Sequence, residues 1–191
     1  MLNKQNIFYK KIILIYGLGK SGLSARKFLK KNNQVITYDD KIKSDTKKIT
    51  TVDFDYIIIS PGIDINKCRL SKFLKKNTKK IHTDLDIFYN HYKQNYKITI
   101  TGTNGKSTTA KILYEILKRQ KVDVRLVGNI GNPILLEKKI TNKTVFVIEA
   151  SSYQLEYSKL FKSNISLILN ISPDHLERHK TINRYVKAKF K

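Results

Sequence analysis

The residues best placed to do chemistry follow a short apolar strand at 98–101, in the run Gly102-Thr-Asn-Gly-Lys-Ser-Thr108. Gly102 and Gly105 let the backbone turn its N–H groups inward around an anion. Thr103, Asn104 and Thr108 complete the loop, Lys106 supplies a cation for outer phosphates, and Ser107 offers a hydroxyl to a magnesium ion. Ile100 stands where the general phosphate-loop pattern has its first glycine, so this is a shortened variant. The spacing also suits an ordinary strand-to-helix turn. A second loop, Gly17-Leu-Gly-Lys-Ser-Gly22, is a complete G-x-G-x-x-G, and Asp39 follows Gly19 by twenty residues. That is a dinucleotide fingerprint, with an acid placed for a ribose.

Three further positions fall at the carboxyl ends of apolar runs, where ligands gather in open parallel sheets. Glu149 ends the run 145–148 and is placed as a magnesium ligand opposite the phosphate loop. His175 closes Asn170-Ile-Ser-Pro-Asp-His175 after the run 165–169. In the last helix Ile182, Tyr185, Val186 and Lys189 share one face, which turns Lys189 inward and Lys187 outward. An unpaired buried lysine costs free energy, so Lys189 is expected to meet an anion or to be chemically neutralised. His82, His91 and His179 have no such context and read as surface residues.

The elements that must position these groups alternate. Strands are expected at 11–16, 34–38, 56–59, 81, 98–101, 122–127, 145–148 and 165–169, and helices at 21–31, 70–76, from 83 or 84, and after the phosphate loop. Pro133 is expected to start a helical turn. In the helix after the loop, Ile112, Leu113, Ile116 and Leu117 form the face expected to dock on a sheet. This alternation predicts an α/β fold of two domains with mainly parallel sheets, divided in the polar segment 91–95: residues 1–93 and 94–191.

The chain has 191 residues, with 38 Lys plus Arg against 15 Asp plus Glu, a formal charge of +23. Such an excess favours anionic partners. The lysines are spread through nearly every segment, however, and no basic block is interleaved with aromatics as a nucleic-acid platform requires. Cys68 is the only cysteine, so no intrachain disulfide can form and a reducing compartment is expected, with Cys68 a small packed side chain. Lys4, Lys10 and Lys11 precede an apolar run too short for a signal peptide, and no stretch approaches the ~18 apolar residues of a membrane span. A soluble cytoplasmic protein is expected.

Taken together, Gly17-Leu-Gly-Lys-Ser-Gly-Leu-Ser24, Ser60-Pro-Gly-Ile63, Thr101-Gly-Thr-Asn-Gly-Lys-Ser-Thr108, Gly128-Asn-Ile-Gly131, Glu149-Ala-Ser-Ser-Tyr-Gln-Leu-Glu156 and Asn170-Ile-Ser-Pro-Asp-His175 resemble, in order, the motifs of the Mur ligases of peptidoglycan synthesis. The Ser-Ser-Tyr-Gln-Leu-Glu block is most similar to that of the members that add D-glutamate. The resemblance implies a Rossmann-like first domain that binds the UDP part of UDP-N-acetylmuramoyl-L-alanine through Lys20, Ser21, Asp40, Lys41 and Gly62. Lys41 stands where relatives often carry arginine, which weakens a bidentate phosphate contact. It implies a P-loop-type central domain in which ATP sits on residues 102–108, Ser107 and Glu149 hold one magnesium, His175 holds a second, and Asn129 helps place substrate and metal. Lys189 matches the family's carbamylated lysine.

The implied reaction activates the alanyl carboxylate with ATP and joins it to D-glutamate, with a monomer and neither nucleic acid nor membrane as partner. The resemblance further implies that the central domain is incomplete at Lys191, that the C-terminal domain is absent, and that the isolated chain binds ligands without turnover. A nicotinamide-dependent oxidoreductase would explain the first loop but leaves Lys106, Glu149 and His175 without a role. A noncatalytic nucleotide or nucleic-acid module would explain the charge.

Overall fold

The computed structural model describes residues 6–42 and 45–191; Lys4 of the N-terminal basic run lies outside them. Two four-stranded sheets, each wholly parallel, make up the molecule. The first contains β1 (Ile12–Tyr16), β2 (Gln34–Tyr38), β3 (Tyr56–Ile59) and β4 (Ile81–His82), in the order β2-β1-β3-β4. The second contains β5 (Tyr96–Thr101), β6 (Val124–Gly128), β7 (Val145–Glu149) and β8 (Ile165–Ile168), in the order β6-β7-β5-β8. Helices connect them: α1 (Lys20–Leu29), α2 (Thr46–Thr50), α3 (Ser71–Lys76), α4 (Asp84–His91), α5 (Lys106–Arg119), α6 (Ser152–Glu156), α7 (Leu176–His179) and α8 (Ile182–Lys189). Unbroken apolar strands such as Ile12–Tyr16 and Tyr56–Ile59 can only be satisfied with both faces covered, which is the parallel arrangement.

Helix α1 packs close beneath β1 because position 22 has no side chain. A Cβ there would come 1.8 Å from the Gly17 carbonyl oxygen. The α5 helix begins at Gly105, whose φ of +80° is left-handed and favours glycine. Its docking face differs from the expected one: Leu113, Tyr114 and Leu117 pack around buried Ala110, whereas Ile112 and Ile116 are exposed. They line a groove of about 740 Å³ with Leu126 and Ile130. The turn at Pro133 is a single reverse turn, closed by the Leu136 N–H on the Pro133 carbonyl, and does not continue as a helix.

The two sheets share one apolar core. Ile13, Ile15, Leu29 and Ile58 from the first side and Val127, Phe146 and Ile148 from the second form one cluster, with Leu85, Ile87 and Phe88 of α4 among them. The Phe88 and Phe146 rings meet edge-on at 4.7 Å. The polar segment between α4 and β5 is tightly bound: buried Lys97 donates to the carbonyls of Tyr92 (2.6 Å), Lys93 (3.3 Å) and Asn95 (2.6 Å). Burial holds its amine down to about 8.

A second fastening centres on Asp86. Its fully buried carboxylate accepts from His82 Nδ1 (3.0 Å), the Ser158 hydroxyl (2.6 Å) and the backbone N–H groups of Lys159, Leu160 and Phe161. It therefore ties α4 to the chain between α6 and β8. His82 and His179, expected at the surface, are both buried, and His91 is half-buried against Phe28. His82 serves Asp86, and His179 Nε2 lies 3.0 Å from the Ser152 hydroxyl. Apolar neighbours remote in sequence bury these rings, which local context did not reveal.

Asp84, also buried at the start of α4, has no such set of donors. Burial pushes its carboxyl up to about 6, against the Ser21 hydroxyl and the Leu85 N–H, which lower it. Because the folded value lies above the unfolded one, Asp84 contributes most stability when protonated. That contribution is lost as pH rises from about 4 through about 6. The Asp84→Asn variant should therefore gain on the order of 2–3 kcal/mol relative to wild type between about pH 4 and pH 7.5, read from urea unfolding at each pH. Parallel pH profiles for the two proteins would remove Asp84 as the titrating group.

Candidate functional site: the phosphate loop and the strand ends around it

In the second sheet the carboxyl ends of β5, β6, β7 and β8 deliver, respectively, the loop at 102–105, Asn129, Glu149 and Asn170 to one edge. Glu149 is completely buried and makes no ion pair among the described residues. Its Oε2 accepts from the Ser107 hydroxyl at 2.8 Å, and its Oε1 accepts from the Asn129 amide at 2.8 Å. A buried carboxylate held only by two neutral donors is an incompletely compensated charge. With a hydroxyl beside it, it offers the hard oxygen donors that magnesium prefers, so Ser107 and Glu149 fit the ion.

The loop is held from both sides. Asn170 Oδ1 accepts the Asn104 N–H at 2.9 Å, and its amide donates back to the Asn104 carbonyl at 3.1 Å. The Thr103 hydroxyl lies 3.0 Å from the Tyr185 hydroxyl and accepts the Ser172 N–H at 3.0 Å. Lys106 Nζ folds back onto the Thr103 carbonyl at 2.6 Å, a neutral acceptor that a phosphate oxygen can replace.

Lys189 points inward as its helical position requires, and is 6% exposed. Its amine donates to the Gly102 carbonyl (2.7 Å) and the Thr101 hydroxyl (3.3 Å) and lies over the Tyr185 ring. Burial, with help from the charge of Lys106, draws its pKa down to about 8. Lys187 is exposed, as expected.

His175 is not drawn to Glu149. Its half-exposed ring stands 3.4 Å from Asp174 and 3.7 Å from Glu177 and packs against Tyr153. Among the described residues no three His, Cys, Asp or Glu side chains converge on one point. The expected set of Ser107, Glu149, His175 and Lys189 thus divides into a Ser107–Glu149 pair, Lys189 on the loop backbone, and His175 farther out. The backbone at His175, the residue before α7, is left-handed, with φ +54°.

At the first sheet, the Asp39 carboxylate accepts the N–H groups of Leu18 (2.6 Å) and Lys41 (2.9 Å). These bonds hold it below its ordinary value. It braces the glycine loop instead of standing free for a ribose. Asp40 accepts from the Tyr16 hydroxyl at 2.7 Å. The Ser60 hydroxyl donates to the Gly17 carbonyl, joining the Ser60-Pro-Gly62 turn to the loop at 17–22. Lys20, Ser21 and Lys41 lie at this same edge, with Lys20 and Lys41 exposed. Arg178 bridges the two sheets' edges: its guanidinium donates to Glu156 Oε2 (2.9 Å) and to the Ile63 carbonyl (2.7 Å). Sequence reasoning missed Arg178, Asn170 as a loop clamp, and Tyr185 as a loop contact. Only Asn170 carried a signal, as a polar strand end beside the phosphate loop.

Residues 100–191 match the Mur ligase middle domain. The chain is 39% identical to the UDP-N-acetylmuramoylalanine--D-glutamate ligase of Caldicellulosiruptor bescii, across 95% of this chain and 44% of that protein. It is 37% identical to the enzyme of that name from Rickettsia prowazekii, across 97% of this chain and 44% of that one. The chain therefore spans a little under half the length of these curated relatives. Among solved structures it superposes on the UDP-N-acetylmuramate:L-alanyl-gamma-D-glutamyl-meso-diaminopimelate ligase of Neisseria meningitides with a TM-score of 0.57 at 13% identity, covering 94% of this chain and 66% of that one. The UDP-N-acetylmuramate-alanine ligase of Thermotoga maritima gives 0.51 at 20% identity, covering 93% and 46%. Phosphate loop, buried strand-end glutamate, fold and relatives agree, and residues 100–191 are a Mur ligase middle domain.

Proposed function

We propose that this chain provides the UDP-substrate and ATP-phosphate sites of a ligase that joins D-glutamate to UDP-N-acetylmuramoyl-L-alanine. The observation that supports this best is the buried Glu149 carboxylate bound to Ser107 on the phosphate loop, with the buried Lys189 amine on the same loop. Residues 1–93 form the UDP-binding unit and residues 94–191 the ATP-binding part. Lys20, Ser21, Asp40, Lys41 and Gly62 at the first edge bind the uridine nucleotide. Gly102, Thr103, Asn104, Gly105, Lys106, Ser107 and Thr108 bind the ATP phosphates.

The alanyl carboxylate attacks the γ-phosphorus, ADP leaves, and the amine of D-glutamate displaces phosphate from the acyl phosphate. Attack of one anion on another is slow unless charge is neutralised and the reactants are positioned. Lys106 exchanges its contact with the Thr103 carbonyl for the outer phosphate oxygens, and Asn129 orients Glu149. Ser107 and Glu149 would hold a magnesium ion, which supplies neutralising charge at the phosphates, and His175 is the residue for a second. The substrates place the reaction in the cytoplasm, carried out by a monomer; no described helix is long and apolar enough to cross a membrane.

Calorimetric titration of the chain with UDP-N-acetylmuramoyl-L-alanine, with NADH as the competing ligand, tests the reading. Saturable binding of the UDP-sugar alone supports it, and preference for NADH overturns it.

Carbamylation of Lys189 follows from the same reading. The neutral amine, made accessible near neutrality by its lowered pKa, attacks CO₂; an N–C bond forms and the nitrogen's proton passes to solvent. With ¹³C-labelled bicarbonate, wild type should show a carbamate carbon signal at about pH 8.5 that is weak at about pH 6, where the amine is protonated. The same signal in Lys189→Arg would assign it to other lysines.

A further inference from the structure

Thr103, at the base of the phosphate loop, has all of its polar atoms bound. Its N–H donates to the Asn170 carbonyl (3.0 Å), and its own carbonyl accepts Lys106 Nζ (2.6 Å). Its hydroxyl meets the Ser172 N–H (3.0 Å), the Ser172 carbonyl (3.1 Å) and the Tyr185 hydroxyl (3.0 Å). The Ser172 carbonyl can only accept, so the single hydrogen of the Thr103 hydroxyl goes there. The Tyr185 hydroxyl must then donate to Thr103.

Tyr185 lies in α8 and is 1% exposed. Two groups pack its ring: the Lys189 amine, one helical turn on, lies 4.6 Å from its centroid, and the His179 ring meets it at 5.4 Å. A side chain locked by packing can hold its partner to within about half an ångström. The next loop N–H, that of Asn104, is also taken, by Asn170 Oδ1. That leaves the first N–H groups of α5, which a helix cannot satisfy internally, to face an anion. Their direction follows from the anchored residues 103 and 104.

We infer that Tyr185 is a positioning residue for phosphate binding: acting through the Thr103 hydroxyl, it holds the loop in the shape that receives a nucleoside triphosphate. The inference rests on the ATP reading of this loop. By fixing Thr103, Tyr185 also fixes the carbonyl on which Lys106 rests, so the loop and its cation are arranged before the anion arrives. Preorganised donors need no reorganisation on binding, whereas a loop that its ligand must order loses that ordering free energy from the affinity.

Amide exchange and calorimetry on the full chain test this. In Tyr185→Phe, which keeps the ring, the amides of Thr103 and Asn104 should exchange hydrogen about three- to tenfold faster by NMR while the circular-dichroism melt is unchanged. Adenylyl imidodiphosphate with magnesium should bind that variant about three- to tenfold more weakly. Thr103→Val removes the hydroxyl through which Tyr185 acts, so adding Tyr185→Phe to it should cost no further affinity. An equal loss in both backgrounds would make Tyr185 a packing residue only, as would faster exchange throughout the chain with a lowered melt. Unchanged affinity or unchanged amide exchange in Tyr185→Phe would overturn the inference and leave the ATP reading standing. If folded wild type binds no adenylyl imidodiphosphate, the ATP reading itself fails and the inference fails with it.

Discussion

Asp86→Ala should lower the unfolding free energy by about 3–5 kcal/mol, the largest stability effect expected of any single substitution here. The Asp86 carboxylate is fully buried and receives His82, Ser158 and three consecutive backbone N–H groups, at 159, 160 and 161. Truncation leaves those donors in an apolar setting where water cannot replace the oxygen atoms, so each bears its own desolvation cost. Because the bonds join α4 to the segment between α6 and β8, urea unfolding of the variant should also become less cooperative, with the two sheets separating at different denaturant concentrations. A single transition shifted by less than about 1 kcal/mol would show the fastening to be redundant.

The pH dependence has a definite sign. Burial raises the Asp86 carboxyl, but His82, Ser158 and the Leu160 N–H outweigh it and leave the group below its ordinary value. The stabilisation is therefore complete above the unfolded carboxylate range and is lost as pH falls through the lower folded value. This is the reverse of Asp84, two residues away, whose carboxyl burial raises to about 6 because it has fewer donors.

Glu149→Ala should abolish the magnesium dependence of nucleotide binding and weaken magnesium-nucleotide affinity by roughly 100-fold. Glu149 is the carboxylate that the phosphate loop's Ser107 contacts, and Asn129 holds its other oxygen. The readout is calorimetric titration with a nonhydrolysable ATP analogue, with magnesium and with EDTA. Wild type should differ between the two conditions and the variant should not. Equal magnesium enhancement in both proteins would move the metal away from β7. Truncation also leaves the Ser107 hydroxyl and the Asn129 amide without their acceptor, so an unchanged circular-dichroism melt of the variant is what separates lost binding from unfolding.

Much of the fold was legible in local pattern. Apolar runs ending in glycine or polar residues pointed to the eight strands, and their alternation with helices pointed to two mainly parallel sheets. The errors arose where a face is chosen by its neighbours. Ile112 and Ile116 have helical spacing that suits docking, yet Ala110, Leu113, Tyr114 and Leu117 lie on the side that β5 and β7 present. His82 and His179 looked like surface residues because the groups that bury and bond them are distant in sequence, as Ser152 is from His179.

The sequence by itself determined the loop types, the residue at each strand end and the inward position of Lys189, because glycine placement and helical or strand periodicity are properties of short segments. The tertiary structure alone decided that Glu149 binds Ser107 and Asn129, that His175 stands apart from them, and that Asp86 and Arg178 reach across elements. Those contacts depend on strand order and on the register between sheets, which the shared core around Phe88 and Phe146 sets. Burial then decides how each charge behaves: it takes Lys189 down to about 8 and Asp84 up to about 6, values that no residue type carries on its own.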